Sequence, residues 1–68
     1  MTKSETQQYL FNVYSEWVQE NRDFPERGLL FFGYIQSLNN FSEFGFGRNS
    51  PYQATAIWVA EWNENLGL

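Results

Sequence analysis

Hydrophobic residues between positions 9 and 18 recur with the 3.6-residue period of an α-helix, and polar residues fill the opposite side. Ser4 and Gln7 form a capping-box pattern ahead of this stripe, and Pro25 disfavours helical geometry at Phe24. The pattern therefore predicts a first helix over about residues 4–22. Its apolar face consists of Tyr9, Leu10, Phe11, Val13, Tyr14, Trp17 and Val18.

An uninterrupted apolar run, Gly28 to Ile35, dominates the middle of the chain. A run of this length suits either a buried strand or a helix, but the rest of the sequence offers no strand that could pair with it. We therefore expect a helix over about residues 26–44, with Pro25 at its start. Its predicted end is either Asn39–Asn40 or Gly45, the latter as a left-handed terminal residue.

A second start signal stands at Ser50, where Pro51 and Gln53 follow as first-turn residue and capping-box partner. Gly67 is placed to end the helix that begins there. The third helix is thus predicted over about residues 51–66. The three elements predict an all-α fold, a small three-helix bundle that forms a single domain over residues 1–68.

The composition limits how such a domain can be stabilised. The chain has 68 residues with no cysteine and no histidine, so neither a disulfide nor a thiolate or imidazole metal site is available to a size class that usually needs one. Its fourteen aromatic residues (seven Phe, four Tyr and three Trp) are many for so small a core. Some rings should lie at the surface, where we expect them to support self-association as a homodimer or higher oligomer.

The charge of the chain disfavours nucleic-acid binding. Four basic residues stand against eight acidic ones, for a net charge of −4, whereas nucleic-acid modules carry a basic stripe. The run at residues 28–35 is far shorter than the ~18–20 apolar residues of a membrane span, and the first residues lack the apolar region of a secretory signal. A cytoplasmic location without membrane contact is the expectation.

Candidate catalytic chemistry is sparse. Without His or Cys, the commonest general base, nucleophiles and metal ligands are missing. Glu16 with Glu20, and Glu61 with Glu64, share helix faces and could contact a divalent cation, but a solvated charged face explains both pairs better. We therefore predict no catalytic residue, no cofactor and no metal site.

The leading hypothesis for function is a non-catalytic interaction or accessory protein that self-associates through aromatic residues and binds another protein. Tryptophan and tyrosine concentrate binding energy at such contacts, and the small residues Ala56 and Ala60 would allow a close helix approach. The candidate interaction surface comprises Tyr9, Phe11, Phe46, Ile57 and Trp58.

Two alternatives remain open at this stage. In one, the chain is a small acidic inhibitor of the phage or plasmid type that covers a basic surface of a host protein. The acidic face would then comprise Glu16, Glu20, Asp23, Glu61 and Glu64. In the other, a dimer of helix-turn-helix type binds DNA by gathering Arg22, Arg27 and Arg48 from both chains.

Overall fold

Three α-helices and two short 3₁₀ turns form the whole regular structure in the computed structural model, which describes residues 1–68. Helix α1 spans Lys3–Trp17, α2 spans Arg27–Gln36 and α3 spans Pro51–Leu66, with 3₁₀ turns at Val18–Glu20 and Phe41–Glu43. The predicted all-α three-helix fold is confirmed. The molecule measures 29 × 22 × 18 Å along its principal axes.

Helix α1 begins one residue earlier than the sequence predicts and uses a different cap. The Thr2 hydroxyl accepts the Glu5 N–H at 3.1 Å, and the Glu5 carboxylate accepts the Thr2 N–H at 2.8 Å. This capping box replaces the predicted one at Ser4 and Gln7. Thr6, in the first turns of this helix, is fully buried, and its hydroxyl accepts a backbone N–H from the segment after α2.

The other boundaries of α1 and α2 differ from the predicted ranges 4–22 and 26–44. The α-helical part of α1 ends at Trp17, and the following 3₁₀ turn carries the chain to Glu20. Pro25 lies in the turn before α2 and is not its first residue. Helix α2 ends at Gln36 because the N–H groups of the next two residues bind carbonyls three positions back, at 3.0 and 3.1 Å, which tightens the last turn.

The residues that the sequence assigns to the end of α2 form instead an aromatic wrap around the core. The rings of Phe41, Phe44 and Phe46 lie 5.9–6.3 Å apart, and Phe46 stacks on Trp58 at 5.9 Å. The left-handed residue of this segment is Gly47, with φ 67°, and not Gly45. The helical stripe through Phe41 and Phe44 is therefore a wrong prediction, although both rings do pack against the core.

Helix α3 matches its predicted range of 51–66 at both ends. The Ser50 hydroxyl accepts the Gln53 N–H at 3.2 Å, the Gln53 side chain accepts the Ser50 N–H at 3.5 Å, and Pro51 occupies the first turn. Gly67 ends the helix in the left-handed conformation, with φ 73°. Local sequence signals are therefore sufficient to predict both ends of this helix.

Helices α2 and α3 run antiparallel and in close contact. A Cβ built on Gly28 would lie 3.8 Å from the Cα of Ala56, an ordinary van der Waals distance, so the two helices are in direct contact at these small residues. Further along, the rings of Phe32 and Tyr52 meet at 5.5 Å. Ala56, predicted as part of a second contact face, thus serves a contact within the chain.

Helix α1 covers the α2–α3 pair with a stripe of residues spaced four apart. At the centre, the ring of Tyr14 lies 4.9 Å from Phe31 and 5.5 Å from Trp62, and its hydroxyl donates to the side-chain oxygen of Asn63. The fully buried members of the stripe are Thr6, Leu10, Tyr14 and Val18. The core is therefore a network of aromatic rings in edge-to-face, tilted and stacked contacts, with Tyr14 and Phe31 edge to face at its centre.

Candidate protein-interaction surface

The outward side of α2 is apolar from Leu29 to Tyr34, and the exposed polar residue Gln36 follows at its C-terminal end. Leu29, Leu30 and Tyr34 are 50%, 42% and 41% exposed, and Gly33 lies among them. After Arg27 the helix contains no charged residue. A surface helix normally carries its polar residues on the outward side, so this surface, here named the α2 outer face (Leu29, Leu30, Gly33, Tyr34), is unusual for a domain that meets only water.

Gly33 at the centre of this face has no role within the isolated chain. Its φ is not positive, and no atom lies within 4 Å of a Cβ built on it. Glycine in a helix interior costs about 0.5–1 kcal/mol relative to alanine. Gly28 has a clear use, because α3 packs against it, but Gly33 lies roughly 140° further around the helix and leaves the backbone open to solvent.

A groove runs beside the α2 outer face, between α1 and the second half of α2. It encloses about 430 Å³, and its floor includes Trp17 and Tyr34, whose rings lie 6.2 Å apart. Glu16, near the end of α1, and Glu20, in the 3₁₀ turn that follows, belong to its lining. The full lining of this α1–α2 groove is Tyr9, Val13, Glu16, Trp17, Glu20, Tyr34 and Leu38.

A second cleft lies between the start of α1 and the end of α3. Phe11 and Trp62 meet edge to face at its base, with ring centroids 5.7 Å apart. The remaining lining residues are uncharged and polar: Ser4, Gln7, Gln8, Asn12 and Asn65. This cleft encloses about 580 Å³ and differs from the α1–α2 groove in lacking any ionisable side chain.

The five residues predicted as one interaction surface do not form one. Tyr9 lines the α1–α2 groove, Phe11 is half-buried in the other cleft, and Ile57 is exposed on α3. Phe46 and Trp58 are only 9% and 4% exposed and stack on each other inside the core. Their assignment to a surface is wrong, because the chain between α2 and α3 folds back and covers Trp58.

The predicted acidic face is likewise divided. Glu16 and Glu20 share the α1–α2 groove, whereas Asp23 lies in the turn before α2. Glu61 and Glu64 are exposed on α3 and line neither cavity. No group of three or more carboxylates is close enough to hold a metal ion.

Sequence reasoning missed the α2 outer face, although the chain contains a signal for it. The run from Gly28 to Ile35 is apolar at every position, and a helix that is apolar on all sides has to be surrounded to be buried. Two other helices and a short aromatic segment cannot surround it, so one side remains uncovered. Read as a helix, the run therefore already implies an exposed apolar face.

The chain matches no protein-family model, and neither the curated proteins nor the solved structures contain a significant match to it. None of its helices combines the length and the apolar character that crossing a bilayer requires.

Proposed function

We propose that this chain is a non-catalytic protein-interaction module that forms a homodimer through the α2 outer face. The observation that carries the proposal is Gly33: an exposed glycine in mid-helix, flanked by half-exposed Leu29, Leu30 and Tyr34. A helix of a second copy that crosses at Gly33 would approach the backbone closely there, because no atom of the chain lies within 4 Å of a Cβ built on this residue.

Twofold symmetry suits this surface. In a twofold dimer the same patch is buried on both copies, so each leucine contributes twice. A standard interface takes about 800 Å² per partner, roughly a fifth of the 4486 Å² that the protein exposes. The α2 outer face would form the apolar centre of such an interface.

The first experiment measures self-association by sedimentation equilibrium over a wide concentration range, for the native chain, Leu30→Gln and Ile57→Gln. Burying the exposed half of Leu30 is worth about 1 kcal/mol per copy, so the substitution should weaken the dimer about 30-fold or more. Ile57 is similarly exposed but lies on α3, and its substitution should change the dimer constant less than threefold. A monomer at all concentrations, or an effect confined to Ile57→Gln, contradicts the proposal.

Gly33→Ala gives a second test, in which the stability of the monomer should rise and the affinity of the dimer should fall. The added methyl group meets no atom of the same chain, so the monomer should become more stable by about 0.5–1 kcal/mol. The dimer should weaken because the methyl groups hold the two helices apart. Dimerisation that is unchanged in Gly33→Ala would show that the helices do not cross there.

A further inference from the structure

The α1–α2 groove carries negative charge that nothing in its own lining balances. Glu16 and Glu20 lie on its α1 side, and none of its seven lining residues is basic. Neither glutamate has a Lys or Arg three or four positions away along the helix. The free protein therefore has two exposed carboxylates along this groove and no Lys or Arg among its lining residues.

The floor of the groove is aromatic. Trp17 packs against Phe31 at 5.3 Å and Tyr14 at 5.9 Å, which fixes the indole in place, and the half-exposed rings of Tyr9 and Tyr34 flank the opening. Cations bind over the faces of Trp and Tyr rings. A rigid aromatic floor with carboxylates along one side is complementary to a cation on a flat, partly apolar side chain.

We propose that the α1–α2 groove binds an arginine side chain from a basic segment of a different protein. The guanidinium is planar, stacks on aromatic rings and can bind carboxylates through two parallel hydrogen bonds, so it can use both features of the groove at once. Lysine offers only a compact charge without the planar stacking surface. The volume of about 430 Å³ lies in the range of ligand pockets, about 300–1,000 Å³.

This proposal goes beyond dimerisation and uses a different surface. The α2 outer face is apolar and has no carboxylate, whereas the groove has two. Tyr34 belongs to both, so the two sites are adjacent. Binding of an arginine segment and formation of the dimer can be measured separately, and either can fail without the other.

The test uses three short capped peptides that differ in one residue, arginine, lysine or citrulline, between two leucines. Citrulline keeps the shape of arginine and lacks its charge. Binding is followed by tryptophan fluorescence and by amide shifts in ¹⁵N spectra at 20 mM salt. We expect the arginine peptide to shift amides of α1 and α2 around Trp17 and Tyr34, and to bind at least tenfold more tightly than citrulline and about threefold more tightly than lysine.

Two double variants separate the groove from the general charge of the protein. Glu16→Gln with Glu20→Gln removes the carboxylates of the groove, and Glu61→Gln with Glu64→Gln removes the same charge from α3, outside it. The first should weaken arginine-peptide binding at least tenfold and the second less than twofold, while 0.5 M salt should weaken it in the native chain. Circular dichroism of each variant confirms that its helices are intact.

Several outcomes would overturn the proposal. Equal loss in both double variants would indicate non-specific attraction to an acidic protein. Equal binding of citrulline, or of lysine, would remove the role of the guanidinium, and no amide shift at millimolar peptide would remove the site. If Arg48→Gln and the Glu16/Glu20 double variant both abolish dimerisation, the occupant is a second copy of this chain and not a different protein.

Discussion

Replacing Thr6 by valine removes one hydroxyl from the buried stripe of α1 and keeps the shape of the side chain. In the native fold this hydroxyl accepts the N–H of Gly45 at 2.7 Å and so ties the segment after α2 to the first turns of α1. Valine leaves the half-buried N–H without that acceptor. An unsatisfied buried donor costs about 1–3 kcal/mol, so Thr6→Val should lower the melting temperature by roughly 4–8 °C per kcal/mol lost in a domain of this size.

Thr55→Val is the matched control for this prediction. Thr55 is also fully buried, but its hydroxyl donates to the carbonyl of Pro51 at 2.8 Å within α3. A helical carbonyl at that position also accepts the backbone N–H four residues on, so losing the hydroxyl leaves no buried group unpaired. We expect a change within about 0.5 kcal/mol.

Urea unfolding at one fixed protein concentration measures both variants, with far-ultraviolet circular dichroism and tryptophan fluorescence as probes. With a slope of about 1 kcal/mol per molar urea, Thr6→Val should shift the midpoint by about 1 M or more and Thr55→Val by less than half of that. Equal shifts in the two variants would refute the reasoning, because the loss would then come from burying a methyl group in place of a hydroxyl.

Three further changes test other parts of the structure. Burial raises the pKa of the Tyr14 phenol, against the opposing effects of the Arg27 charge and the hydrogen bond to Asn63. The stability that this shift provides is complete below the unfolded pKa near 10 and is lost as pH rises through the folded value, so Tyr14→Phe should flatten the alkaline decline in urea midpoint. Ser50→Ala removes the α3 cap and should cost about 1 kcal/mol by thermal melting. Gly45→Ala would press a methyl group against the backbone of Met1 and Thr2 and should cost about 2 kcal/mol or more in urea unfolding; a loss no larger than that of Ser50→Ala would show that the two segments separate easily.

The parts of the fold that were predictable from the sequence are those fixed by local chemistry. Helix α3 has a capping box, a proline in its first turn and a left-handed glycine at its end, all within the residues that form it. Each of these signals acts over a few positions, so the residues of this segment themselves determine where the helix begins and ends. The range 51–66 was correct for this reason.

The boundaries of α1 and α2 were wrong where distant residues decide them. The sequence offers two capping boxes at the start of α1, and the N-terminal residues that form the one in use also contact a distant segment, where the Met1 amino group donates to the Glu43 carbonyl at 2.6 Å. The chain after α2 packs on residues far along the sequence, since Phe46 stacks on Trp58 and Phe44 packs against Tyr9. The hydrophobic pattern of one helix cannot predict such contacts with distant residues, and so it cannot predict these boundaries.

The candidate surface was predictable only as an expectation that some aromatic rings would be exposed. Helical periodicity assigned Tyr9 to the apolar face of α1, whereas the surplus of aromatic residues correctly marked it as a surface candidate. It could not show that the wrap buries Phe46 and Trp58, nor that Glu16 and Glu20 border a groove floored by Trp17 and Tyr34. Those facts depend on how α1 packs against α2, and the periodicity within a single helix does not predict that packing.

The bond between Tyr14 and Asn63 also sets an order of events during synthesis. The two residues are 49 positions apart, which at about 5–20 residues per second corresponds to roughly 2–10 s of translation. Throughout that interval the apolar stripe of α1 has no helix α3 to cover it. Tyr14 and Trp17 can reach Phe31 of α2 earlier, because they lie only 17 and 14 positions before it in the chain, so the burial of α1 is completed only once α3 has been made.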